Sequence, residues 1–325
     1  FSHTENFKKG LIPNMELVAI CDIDPERRAV AKADFPSAEI FDDAEKMYAS
    51  GLCDAVLVAV WHYGHPQLVI KALEYGLHAI TEKPAGVYTK QVKEMNAAAE
   101  KSDKVFGIMY NQRTNPVYQK LREMIQDGQL GHIKRITWII TDWYRCQAYH
   151  NSSAWRSSWK DEGGGTLINQ NPHQLDLWQW ICGMPVKVQA HLHYGKWHDI
   201  ETEDDVTAYL EFANGANGLF FATNNNWTNE SVQIRVAMEK GIFHIEDNTL
   251  SKIEADGSRT VICKAPKLEG IKFYYGASHT RLIARFYKAV KDNTDDYIHI
   301  SEGAMIVKLM DSIFRSSNTG RLVEV

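Results

Sequence analysis

The stretch "DAVLVAVWHYGHPQLVIKALEYGLHAITEKP", residues 54–84, decides the fold. It opens with a continuous apolar run, 54–60, as expected of a strand buried on both faces. Residues 65–76 then repeat apolar side chains at helical spacing and stop at Gly76. A second apolar run, 77–81, follows directly. Two strands joined through a helix of ten or more residues require a parallel crossover. The stretch closes on an acid, a base and a proline: Glu82, Lys83 and Pro84. Proline drives the residue before it out of the helical region, so Lys83 sits on a stiffened turn at the end of a buried strand.

Working outward, the same alternation continues on both sides. Residues 15–20 read as a strand, and 25–35 as a helix with Pro25 at its first position, where the missing N–H costs nothing. Residues 89–102 read as a helix and 104–110 as a strand. The first third is therefore a Rossmann-like, doubly wound parallel sheet. Beyond about residue 130 the pattern changes to long β-branched and aromatic runs. These include 133–144, a hairpin over 205–223 turning at "NGANG", and strands near 231–237, 241–246 and 259–263. Helices are expected at about 167–182, 278–291 and 302–315. This second part reads as an α+β domain with a large, open, mostly antiparallel sheet. The expected division is residues 1–110 and 111–325.

The chain has 325 residues, enough for two domains. Apolar residues make up 44% and charged residues 24%, an ordinary globular balance, and the formal charge of −5 argues against a nucleic-acid or anionic-membrane partner. No apolar run reaches the length of a membrane span. Five scattered cysteines without a C-x-x-C pair argue against a disulfide framework or structural zinc, and point to a reducing, cytoplasmic setting. "HLHYGKWH", 191–198, holds three histidines, but no acid or cysteine completes a ligand set at the right spacing. These read as surface strand histidines, and no metal site is expected.

Ligands of parallel sheets bind at the carboxyl ends of the strands. Asp22 follows "ELVAIC" and fits the acid that bonds an adenosine ribose, which favours NAD over NADP because a carboxylate repels a 2′-phosphate. Arg27 and Arg28 nearby read as a solvated helix face. The Gly-rich turn belongs roughly 20 residues before that acid, yet residues 1–22 contain no G-x-G-x-x-G. The expectation is a chain that starts just after that turn and the first strand; the alternative is a lost nucleotide site. His62 and His65 follow the strand at 54–60 and fall in the ligand region.

Together, "CDIDPE" (21–26), residues 58–84, "YNQRTNPVYQKLREMIQDGQLGHI" (110–133), "EGGGTLINQNPHQLDLWQWICGMP" (162–185) and "SSNTGRLVEV" (316–325) resemble the Gfo/Idh/MocA oxidoreductase family. The resemblance covers nearly the whole chain. It implies a nicotinamide cofactor, a sugar or cyclitol substrate, and a homodimer or homotetramer packed through the C-terminal sheet. Lys83 matches the lysine that faces substrate and nicotinamide ribose. His173 matches the acid/base histidine, and its near-neutral intrinsic pKa suits that task. Asn169 stands where many members have aspartate. An amide orients but takes no proton, which leaves proton transfer to His173 with Lys83. Asn169 and His173 share one helix face if the helix already includes Asn169, with Asp176 in reach of the same imidazole; Pro172 lacks an N–H and marks a first turn, which leaves the start of this helix open. Ile23, Trp61, Glu82, Pro84, Asn111 and Arg113 complete the cofactor-binding candidates.

The segment 142–159 is dense in Trp, Tyr and Arg. Aromatic faces suit sugar rings, so Arg145, Tyr149, Trp155 and Arg156 join Asn169, His173 and His279 as substrate candidates. The expected activity is hydride transfer between nicotinamide and a hydroxyl-bearing carbon of a sugar, sugar derivative or cyclitol. The competing readings are an NAD-using glycosidase with transient substrate oxidation and a non-catalytic sugar-binding relative.

Overall fold

A computed structural model describes residues 2–13, 15–266 and 278–325. The chain forms two compact units. The first contains 1–86, 90–111 and the later return 270–303; the second contains 87–89, 112–269 and 304–325. The sequence gives no sign of that return, because a helix of ordinary amphipathic pattern does not announce which unit it packs on.

In the first unit the order is α1 Ser2–Lys8, β1 Ala19–Cys21, α2 Pro25–Asp34, β2 Glu39–Phe41, α3 Ala44–Ala49, β3 Ala55–Val58, α4 Gly64–Glu74, β4 His78–Thr81, α5 Thr89–Lys101 and β5 Phe106–Ile108. All strand pairings here are parallel: β1 with β2, and β3 with β4 with β5. The two groups form separate sheets. α4 buries His65, Val69, Ala72 and Leu73, the i, i+4, i+7, i+8 stripe of an amphipathic helix. Gly76 then takes φ +74°, the left-handed turn that ends a helix. α2 starts on Asp24, whose side chain accepts from the amides of Glu26 and Arg27, with Pro25 behind it. α1, β2 and α3 are absent from the sequence reading. β2 has three residues and α3 six, too few to show a period.

The second unit runs α6 Pro116–Gln126, β6 Ile133–Ile140, α7 Gln147–His150, α8 Thr166–Asn169, α9 Pro172–Cys182, β7 Lys187–Tyr194, β8 Glu203–Glu211, β9 Asn217–Thr223, β10 Gln233–Met238, β11 Gly241–Glu246, β12 Thr249–Ile253 and β13 Arg259–Lys264. α10, Ser278–Asp292, belongs to the first unit; α11 Ser301–Thr319 and β14 Val323–Glu324 close the chain. Nine strands make one sheet in the order β13-β12-β11-β10-β6-β9-β8-β7-β14. Only β6 and β9 pair in parallel within it. β9, β10 and the latter part of β8 alternate buried and open side chains, the mark of a sheet with one covered face. Its inner side carries Trp138, Val206, Ala208, Phe220, Ile234 and Val236, all fully buried.

Two expected boundaries move. β6 ends at Ile140, so 141–144 leaves the sheet as a strap. The helix expected at 167–182 is broken into α8 and α9, because Pro172 cannot donate into a continuing helix and starts a new one. Asn169 and His173 therefore lie on two helices rather than one face.

Candidate functional site

In the first unit the strand carboxyl ends collect the nucleotide candidates. Asp22 follows β1; its Oδ1 accepts from the Asp24 amide at 2.9 Å. Arg28 Nη1 donates to the Asp22 carbonyl at 2.8 Å, and Arg27 Nη1 lies 4.0 Å from Asp22 Oδ2. Both arginines thus brace the loop that presents Asp22. Ile23 is 69% exposed and Trp61 47% exposed. A carboxylate with bare apolar side chains at the strand ends fits an adenosine moiety.

At the end of β4 the Lys83–Pro84 peptide is cis. The Lys83 amide donates to Glu82 Oε2 at 3.1 Å. His65 is completely buried, with Nδ1 3.0 Å from the Pro84 carbonyl and Nε2 3.0 Å from the Val60 carbonyl. Its ring bridges the β3 and β4 ends instead of lining a ligand surface. Burial holds its pKa below the ordinary histidine value, despite the carbonyls and Glu82. This corrects its assignment as a cofactor contact. His62, also buried, has its ring centroid 6.1 Å from that of His65.

Glu82 gathers partners that spacing hides. His3 Nε2 is 2.6 Å from Glu82 Oε1, and His279 Nε2 is 4.0 Å from the same oxygen. Burial alone would push the Glu82 carboxyl up, but the His3 hydrogen bond and the charges of His3, His279 and Lys83 hold it far below the usual carboxylate range. Where no metal site is expected, ligand-type atoms of His3, Glu82 and His279 lie within 4.8 Å of one another. They offer two imidazoles and a carboxylate to a cation, and Glu82 accepts from His3. Asn111 is fully buried; its Nδ2 donates to Ser278 Oγ at 2.8 Å and lies 3.4 Å from His279 Nδ1. It positions the start of α10.

In the second unit the segment 162–173 forms a tight corner. Gly163 and Gly164 take φ +85° and +153°, and a Cβ on Gly163 would strike Val87. The buried Glu203 carboxylate receives the Gly165 and Leu167 amides at 2.9 Å each, and so fixes the start of α8. Burial pushes its carboxyl up to about 7, against those backbone bonds. Asn169 Nδ2 donates to Glu162 Oε1, and Glu162 Oε2 accepts from the Ser157 amide at 2.5 Å. Glu162, 2% exposed, is a site residue that the sequence reading passed over although it stands directly before the glycines. His173 is 4% exposed on the first turn of α9.

Arg113 and Asp176 pair with each other. The Arg113 guanidinium makes two bonds to the Asp176 carboxylate, Nη2 to Oδ1 at 2.6 Å and Nε to Oδ2 at 2.9 Å, and both side chains are buried. A bidentate buried pair of this kind holds α9 against residues 111–114 and spends the guanidinium that a cofactor would need. The strap carries Arg145, Tyr149, Trp155 and Arg156 into contact. Arg145 and Arg156 lie 4.8 and 4.4 Å from the Tyr149 ring centre, and Arg156 also lies 4.5 Å from that of Trp155. His191 and His193 are exposed strand residues as expected. The His198 side chain is instead buried, with Nδ1 3.1 Å from Asp204 Oδ2.

With this geometry in hand, the chain belongs to the GFO/IDH/MocA oxidoreductase family. Residues 2–110 match its NAD-binding Rossmann-fold domain, and 118–244 match its C-terminal domain. The chain is 31% identical to the oxidoreductase YteT of Bacillus subtilis over 58% of its own length and 46% of that protein, so the match spans about half of that relative. It is 25% identical to D-glucoside 3-dehydrogenase of Escherichia coli over 96% of this chain and 91% of that one. Its fold superposes on the WlbA dehydrogenase from Bordetella pertussis, solved with NADH and UDP-GlcNAcA, with a TM-score of 0.87 and 25% identity. That superposition covers 100% of this chain and 94% of the other. No helix among the described residues is long and apolar enough to cross a membrane.

Proposed function

We propose that this chain is an NAD-dependent dehydrogenase or reductase that moves a hydride between nicotinamide and a hydroxyl-bearing carbon of a sugar, sugar derivative or cyclitol. The observation that carries the reading is the Glu82–Lys83–Pro84 turn, held at a strand carboxyl end by His65 and by the Glu82 bond to the Lys83 amide. Such support fixes the backbone from which the Lys83 side chain projects. The named glucoside dehydrogenase and the nucleotide-sugar complex of the WlbA protein support the substrate class.

Asp22 would hold the adenosine ribose, with Ile23 and Trp61 beside it as the apolar part of that site. The nicotinamide supplies the hydride acceptor or donor. As hydride leaves a carbinol carbon, its hydroxyl proton must also leave. His173 takes that proton, and Lys83 stabilises the developing oxyanion. Asn169, tethered by Glu162, bonds a substrate hydroxyl or the imidazole and carries no proton itself. The open face of the nine-stranded sheet, with Tyr209 opposite Leu219 and both 41% exposed, is the surface for self-association into a homodimer or homotetramer. The scattered cysteines, free of disulfides, support a cytoplasmic setting.

The test is a screen of sugars and inositols with NAD⁺ and NADP⁺, followed by nicotinamide absorbance. His173→Ala and Lys83→Met should each lower kcat by about 100- to 10,000-fold with NAD⁺ binding retained. Near-full turnover in His173→Ala would refute the assignment. Glycoside cleavage without net change in nicotinamide absorbance would select the glycosidase reading.

A further inference from the structure

Arg145 and Arg156 are held without an opposing acid. Arg145 donates from Nη1 to the Tyr144 carbonyl at 2.9 Å, and Arg156 from Nη1 to the Tyr149 hydroxyl at 2.7 Å. Neither forms an ion pair with a carboxylate among the described residues, and the Nε atom of each is buried without a hydrogen-bond partner. Three aromatic rings fix the guanidiniums: Trp143 and Tyr149 for Arg145, Tyr149 and Trp155 for Arg156. Cation–π contacts of this kind position a cation while leaving its charge unneutralised. The chain as a whole carries a charge of −5, so this is a local reversal of sign rather than a general property.

The neighbouring titratable groups cancel that charge only in part. Asp142, beside Arg145, has its carboxyl pushed up to about 7 by burial, and its Oδ1 is buried without a partner. His150 packs edge-on against Tyr149 and is pushed down to about 4, first by burial, then by His198, with Arg145 and Arg156 adding to the effect. Asp204 is taken up by the amides of Lys196, Trp197 and His198 and by the His198 ring. The Tyr149 ring, engaged by two cations, is a poor platform for a neutral sugar face.

We propose that Arg145 and Arg156, splinted by Tyr149, form an anion subsite, and that the substrate is an acidic sugar bearing a carboxylate or a phosphate. This rests on the sugar-oxidoreductase reading above but is tested separately from it. Guanidinium forks bind carboxylate and phosphate oxygens bidentately, and such charge-assisted bonds exceed neutral ones.

The experiment compares D-glucose, D-glucuronate and D-glucose 6-phosphate on the full chain with NAD⁺, by calorimetric binding and by nicotinamide absorbance. At least one anionic sugar should bind about 10- to 100-fold more tightly than D-glucose, and added salt should weaken the difference. The doubly substituted R145Q/R156Q protein, checked for an unchanged melting curve, should bring the ratio close to one. Preference for glucuronate alone assigns a carboxylate, and preference for the phosphate ester alone assigns a phosphate. Equal binding of neutral and anionic sugars, no binding of any of the three, or a preference that survives R145Q/R156Q overturns the subsite. If anions bind selectively but no sugar or inositol alters nicotinamide absorbance, the dehydrogenase reading fails while the subsite stands.

Discussion

Glu82 in the first unit and Glu203 in the second are both taken out of water, yet their carboxyls move in opposite directions. Glu82 is held far below the ordinary carboxylate range against the pull of burial, because His3, His279 and Lys83 surround it. Glu203 is pushed up to about 7 by burial, because its partners are the neutral amides of Gly165 and Leu167. Backbone dipoles satisfy hydrogen bonds but do not supply enough charge to offset lost hydration. The first glutamate belongs to a charged cluster beside the Lys83–Pro84 turn. The second is a peg that shapes the glycine corner.

If Glu203 is a peg, removing it should cost the most. Glu203→Ala leaves two buried N–H groups without acceptors and opens a cavity, so we expect a loss of about 3–5 kcal/mol in urea unfolding. A loss below about 1 kcal/mol would show that the corner stands without it. The titration adds a sign. A carboxyl whose folded pKa is raised binds its proton more tightly when folded. Its favourable contribution is complete below the ordinary value of 4.5 and is lost as pH rises through about 7. The stability of the wild type relative to Glu203→Gln should therefore fall between those limits, by on the order of 3 kcal/mol. A flat difference would remove Glu203 from the comparison.

The opposite sign applies to Glu82. With a lowered folded pKa, its contribution is present above 4.5 and is lost as pH falls toward its folded value. Glu82→Gln should cost about 1–2 kcal/mol at neutral pH, because one partner of a mostly buried pair is lost. That cost should shrink in acid. His3→Ala should raise the Glu82 carboxyl, visible by carbon-detected NMR titration. An unmoved Glu82 in His3→Ala would assign its low value to Lys83 and His279 instead.

How much of this was legible follows from where each signal lies. The parallel half was readable because apolar runs and the α4 stripe fall within 54–84, where periodicity and Gly76 act locally. Lys83, His173 and Asn169 are proposed site residues because they match a family motif. His3 and His279 were not legible as partners of Glu82, because they arrive from 79 residues before it and from a returning helix far behind it. His65 was misread because its position after β3 is correct while its ring faces two carbonyls, which only coordinates reveal. Glu203 opens a strand with four buried residues in succession, three of them acidic. A strict alternation rule places half of those in solvent, so the glycine corner they serve stayed hidden.

Asn169 is the smallest and most discriminating substitution, because Glu162 can be moved from one side of the comparison toward the other. Its Oε1 now accepts from the Asn169 amide and its Oε2 from the Ser157 amide. Asn169→Asp would place two carboxylates face to face, and one of them would retain a proton to higher pH. Activity should remain measurable, within about tenfold of the parent, because the proton route through His173 does not need the amide. The acid limb of the pH–rate profile should move upward, and stability should fall by about 1 kcal/mol in alkaline buffer and recover as the shared proton returns. A loss of turnover well beyond tenfold with an unshifted profile would mean that Asn169 bonds the substrate through its N–H donor and that Glu162 does no more than aim it.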